Sequence, residues 1–127
     1  MAASLSNLCR RAGFDLAKGK VTVWLSDVRR HVVRLEEVDD TTIRAWAVVA
    51  RRRNLEHADS LDLDLDLWRR NRGTRLVGFH IDRHERVIGT AWIPRQGLDA
   101  EEFAVYVNEV AKQSDRLEFL LTGRDVE

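Results

Sequence analysis

Cysteine is almost absent from this sequence. Cys9 stands alone, which excludes an internal disulfide and a cluster of thiolate metal ligands. Proline is as scarce: Pro94 is the only one, and no Gly/Ser-rich stretch interrupts the chain. With no linker signal and no internal repeat, residues 1–127 read as a single domain, a size that supports one hydrophobic core. No run reaches the roughly 18 apolar residues a transmembrane helix needs. Residues 1–11 lack the basic start and apolar stretch of a secretory signal, so a cytoplasmic, non-membrane protein is expected. Net charge is missing too, with 21 Lys and Arg against 21 Asp and Glu. A dedicated nucleic-acid binder usually carries a basic excess, so nucleic acid is the less favoured partner. The balance hides an asymmetry. Residues 1–98 hold 18 basic against 13 acidic side chains, and residues 99–127 hold 3 against 8.

Catalytic signatures are also lacking. There is no GxSxG, no phosphate-binding loop and no HExxH. Asp62, Asp64 and Asp66 alternate as in a calcium loop, but Leu67 and Gly73 stand where that loop wants Gly and Glu. Solvated helical carboxylates are the better reading. His31, His57, His80 and His84 fall into no ligand spacing and read as surface histidines near turns. Cys9 reads as a small core residue. The expectation is a non-enzymatic protein with no catalytic, cofactor-binding or metal-binding residues.

What is present is periodicity. Residues 4–12 suggest a first helix capped by Ser4 or Ser6, with Leu5, Leu8 and Cys9 on one face and Gly13 as its stop. Val21, Val23 and Leu25 alternate with Thr22 and Trp24, as in a strand. Residues 28–35 continue as a second strand. Residues 42–49 form a third, with Ile43, Ala45, Ala47 and Val49 on one face and Trp46 on the other. The segment 61–72 alternates Leu and Asp, a strand pattern. Leu is nevertheless a good helix former, Asp is depleted in strands, and the Asp-first, Arg-last order complements a helix dipole. A helix ended by Gly73 is therefore expected. Leu61, Leu65 and Trp68 would line one stripe, with Leu63 and Leu67 nearly opposite. A helix apolar on two sides needs two apolar partners. Residues 76–82 and 86–94 read as a hairpin. Asp99 and Glu102 form a capping box for a last helix, striped by Phe103, Tyr106, Val107, Val110, Leu117, Leu120 and Leu121, with a possible break at Ser114–Asp115.

The order α-β-β-β-α-β-β-α predicts an α+β fold in two layers: a five-stranded antiparallel sheet with helices on one face. Trp24, Trp46 and Trp92 then fall on the other face, where exposed aromatic surface points to an interface.

The C-terminal half carries a resemblance. Gly78-Phe79-His80-Ile81-Asp82, the strand Val87 to Pro94, the segment Gly97-Leu98-Asp99-Ala100-Glu101-Glu102-Phe103 and the helix end Ser114-Asp115-Arg116-Leu117 are similar to the YbjN family of bacterial sensory transduction regulators. That family resembles the class I type III secretion chaperones, the Tir chaperone among them, in fold. The resemblance covers residues 60–122 by motif and 4–50 by element order. It implies a homodimer that binds a partner polypeptide, chaperone-like or regulatory. Leu63, Leu67 and Trp68 are then the expected dimer contacts, and Trp24, Trp46 and Trp92 the expected partner contacts. The alternative from the residues themselves is a nucleic-acid-binding regulator acting through Arg51-Arg52-Arg53 and Arg69-Arg70-Asn71-Arg72.

Overall fold

The structure, a computed structural model, describes residues 4–51, 60–73 and 75–122, with the backbone alone for 60–66 and 122. The elements run α1 (Leu5–Ala12), β1 (Lys20–Trp24), β2 (Arg30–Glu37), β3 (Thr42–Arg51), α2 (Ser60–Gly73), β4 (Gly78–Ile81), β5 (Arg86–Pro94) and α3 (Ala100–Thr122). This is the expected order. The five strands form one antiparallel sheet in the order β1-β2-β3-β5-β4.

Local signals set the ends of the elements. Ser4, not Ser6, caps α1 by accepting from the Asn7 N–H. Gly13 closes the helix at φ 83°, a left-handed conformation that glycine adopts without a Cβ penalty. Asp99 caps α3: its Oδ1 accepts from the Glu102 N–H at 2.7 Å. The Leu/Asp segment is helical as expected, because α2 spans it without interruption. The break expected at Ser114–Asp115 does not occur. Helix α3 runs on through both residues, and both are buried. They stay helical because they face protein and not solvent.

One face of the sheet holds the core. Val21, Val33, Ile43, Ala45, Ala47, Ala91 and Ile93 alternate inward and meet Phe103, Val107, Val110 and Ala111 of α3. Helix α1 adds Leu5, Leu8 and Cys9, and Phe14 meets Phe103 edge to face with ring centroids 6.3 Å apart. Gly89 lies where α3 presses closest. A Cβ there would strike Ser114 Oγ and the Phe79 ring.

Of the two hairpin strands, β5 and not the earlier β4 pairs with β3. It is nine residues long and mostly buried, whereas β4 has four. The short strand is left at the edge. There Asn71 of α2 closes it, its amide accepting from the Phe79 N–H at 2.6 Å and donating to the Phe79 C=O at 2.8 Å. The side chain thereby stands in for a neighbouring strand and blunts the edge.

Candidate functional site

The sheet face opposite α1 and α3 carries an unusual surface. Strand alternation sends Lys20, Arg30, Arg34, Arg44, Arg51 and Arg86 to this side, together with Trp24, Trp46 and Trp92. Register then places arginine beside tryptophan. Trp24 is opposite Arg30, Trp46 opposite Arg34, and Trp92 opposite Arg44. The guanidinium groups lie over the rings. Arg30 is 5.5 Å from the Trp24 centroid. Arg34, Arg44 and Arg86 are 4.8, 5.0 and 5.7 Å from Trp46. Arg44 also stands 5.5 Å from Trp92, shared between two indoles. Each such pair is worth about 0.5–1 kcal/mol at an exposed site.

The three tryptophans expected on this face are all there, but they are not equivalent. Trp24 is 59% exposed and Trp92 60%. Trp46 is half-buried among its three arginines. Among the described residues, acidic side chains on this face are few. Glu36 lies 3.9 Å from Arg44, and Asp82, at the hairpin turn, holds Arg86 at 2.8 Å. Among the described residues neither Arg30 nor Arg34 has a carboxylate partner. The cationic field registers on His80, which points to the same side from β4. Partial desolvation and then the charge of Arg44 hold its pKa below the usual histidine value, against the pull of Asp82. Asp82 is likewise lowered: desolvation raises it, but N–H donation from Arg86 and His84 and the Arg86 guanidinium outweigh that effect. Beside Trp92, a cleft of about 340 Å³ opens next to Gly78, bordered by Arg75, Leu76, His80 and Thr90. Gly78 leaves that space because nothing lies within 4 Å of where its Cβ would be.

The residues expected at a dimer contact divide. Trp68 is 58% exposed, with Arg72 stacked 5.0 Å from its ring. Leu67 is buried in the chain's own core, which corrects the expectation that it faces a partner. A helix beside an edge strand turns one stripe inward whichever residues it carries. The side chain of Leu63 lies outside the described residues, as do those of Leu61, Leu65, Asp62, Asp64 and Asp66, and as do Arg52, Arg53, His57 and Gly123 altogether. Leu120, expected on the buried stripe of α3, is exposed with Phe119.

A second polar feature was missed. His31, expected at the surface, is 1% exposed. It points inward from β2 where the β2–β3 ladder has ended, and its Nε2–H reaches the Val48 C=O at 2.9 Å. Asp115 and Glu118 of α3 cover it, and one ligand-capable atom from each of the three lies within 4.8 Å of the others. Arg29 reaches in and donates to Asp115 at 2.8 Å. That guanidinium compensates the Asp115 carboxylate and opposes a further cation beside it. The alternation that placed Val33 and Leu35 inward already placed His31 with them, and that was the available signal. Cys9 is buried as expected, and desolvation pushes its thiol up to about 11, away from thiolate chemistry.

No family model and no curated protein matches this sequence. Solved structures do. The chain is similar to ExsC in the ExsC–ExsE complex, with a TM-score of 0.62 at 16% identity over 95% of this chain and 92% of that one. It is similar to the Yersinia pestis type III secretion chaperone SycH, bound to a stable fragment of YscM2, at 0.58 and 14%, over 92% and 95%. It is also similar to YbjN from E. coli, at 0.55 and 18%, over 94% and 87%. At these identities the likeness is one of fold. The chain has the secretion-chaperone-like fold that its C-terminal motifs suggested. No helix among the described residues is long and apolar enough to cross a membrane.

Proposed function

We propose that this chain is a non-enzymatic, dimeric protein-binding module, chaperone-like or regulatory, which holds a segment of a partner polypeptide on the open face of its sheet. One observation carries the reading. Trp24 and Trp92 are large apolar side chains left 59% and 60% exposed on a sheet face that neither α1 nor α3 covers. Such surface is normally retained for an interface. The binding would be extended-segment recognition, with main-chain hydrogen bonds at the β1 edge and side-chain pockets around the tryptophans. The similar structures ExsC–ExsE and SycH–YscM2 are complexes, which supports a polypeptide as the occupant. A cytoplasmic setting fits that role.

The dimer would form through α2, with exposed Trp68 at its centre. Light scattering should then give twice the 14.7 kDa chain mass, and Trp68→Ala should shift the protein toward monomer. A wild-type monomer throughout the micromolar range removes the dimer from the proposal. The binding face is tested separately. The partner recovered with the wild-type protein should be lost with a Trp24→Ala/Trp92→Ala double variant that stays folded by circular dichroism. Undiminished binding by that variant overturns the assignment of the face.

A further inference from the structure

The chemistry of the open face narrows the partner further. We infer that the segment held there is acidic, with carboxylates and apolar side chains together on its sheet-facing side. The inference rests on the reading of that face as a polypeptide site and adds what the polypeptide must carry.

The argument starts from charge. Among the described residues, Lys20, Arg30, Arg34, Arg44 and Arg86 point outward from β1, β2, β3 and β5, against Glu36 on the strands and Asp82 at their rim. The chain as a whole is neutral, so this face is a local excess and not the reflection of a basic protein. A partner of opposite sign is steered to it and is discriminated from like-charged competitors.

The geometry adds specificity. The guanidinium groups of Arg30 and Arg34 lie over the indoles, 5.5 and 4.8 Å from the centroids of Trp24 and Trp46, and among the described residues neither has a carboxylate partner. A fixed planar fork matches a carboxylate with little further loss of side-chain entropy. The spacing follows the sheet. Lys20, Arg34 and Trp46 form one cross-strand row, and Glu36, Arg44 and Trp92 the neighbouring one. The first row presents two cations and then an indole, the second an acid, a cation and an indole. A segment that carries both carboxylates and apolar groups on its sheet-facing side satisfies both, and the cleft beside Gly78 and Trp92 has room for one of the apolar groups.

Single-stranded nucleic acid is the competing polyanion. It needs open aromatic faces on which bases stack. Trp46 has three guanidinium groups over two ring faces, so the central platform is already filled. The geometry favours carboxylates over bases.

The test measures binding of three short fluorescein-labelled peptides to the full-length protein by anisotropy. One repeats Glu-Ser-Leu-Ser, which puts Glu and Leu on one face of an extended chain, and the other two carry Gln or Lys in place of Glu. A single-stranded oligothymidylate is the fourth probe. The Glu peptide should bind about tenfold or more tightly than the Gln peptide, as one or two charge-assisted contacts imply. The preference should fall with added salt. Arg34→Gln and Arg44→Gln should each reduce that preference several-fold. Both positions are half-buried, and circular dichroism verifies the fold. Equal binding of the Glu and Gln peptides, both lost in the Trp24→Ala/Trp92→Ala variant, overturns the acidic preference and leaves the polypeptide site standing. Tighter binding of the oligothymidylate than of the Glu peptide overturns the inference in favour of nucleic acid. If no peptide binds while light scattering shows salt-sensitive self-association, the face belongs to a second copy. If nothing binds at all, the polypeptide-site reading fails together with the inference.

Discussion

The two faces of the sheet come from the same strands and the same alternation, yet they are finished by opposite means. On the inner face Val33, Ile43 and Ile93 are fully buried against Phe103, Val107 and Val110. A second layer removes them from water, and dense packing defines their positions. On the outer face no helix of the described core supplies that layer. The side chains cover one another, with arginine stacked on tryptophan across neighbouring strands. The contrast teaches that the same alternating pattern can specify a permanent interface on one side and a pre-ordered, unfilled one on the other. The first is stabilised by area removed from water. The second is shaped by geometry that adds little stability.

Stability measurements can break that comparison. Phe103→Ala should lower the unfolding free energy by about 3–5 kcal/mol, the cost of emptying a large core site. Trp92→Ala on the outer face should cost about 1 kcal/mol, the scale of a lost exposed cation–π pair. Equal losses in urea titrations would mean that the outer face is structural after all.

A smaller effect sharpens the same contrast at the sheet edges. Asn71→Ala should cost about 1–3 kcal/mol, because it strands the backbone N–H and C=O of Phe79. Hydrogen exchange should quicken at the Phe79 amide before it quickens in β3. Unchanged exchange there would show that α2 does not close the β4 edge.

The smallest expected effect is a pH slope. His80 has a folded pKa below the ordinary value of 6.5. The unfolded chain therefore binds the proton more readily, and stability falls as pH drops from about 6.5 through the folded pKa. Above 6.5 the contribution is constant. His80→Gln should flatten that part of the stability profile, and so should Arg44→Gln in part. A profile indifferent to both substitutions would show that the cationic field of the outer face does not reach β4.

Much of the fold was legible because its signals are local. Alternation in β3 named Ile43, Ala45, Ala47 and Val49 as one face, and all four are fully buried. Asp99 announced α3, and propensity outweighed alternation in the Leu/Asp segment. The open face was legible in outline, since Trp24, Trp46 and Trp92 fall opposite the core positions. What escaped was every fact that needs a second segment to define it. The stripe of α2 could not show that Leu67 turns into its own core. Ser114 and Asp115 suggested a break because their propensities are weak, but burial against the sheet overrides propensity. The arginines on the open face lie in four strands, and only the strand register brings them onto the indoles.

By itself the sequence determined the element order, the two-faced strands and the absence of recognisable catalytic machinery, because periods, caps and motifs are properties of short segments. Tertiary structure alone decided that β5 lies between β3 and β4, that His31 and Glu118 share an interior site, and that arginine lies over tryptophan on the open face. These depend on strand register and on which surfaces meet, and such long-range pairings are fixed when the core closes.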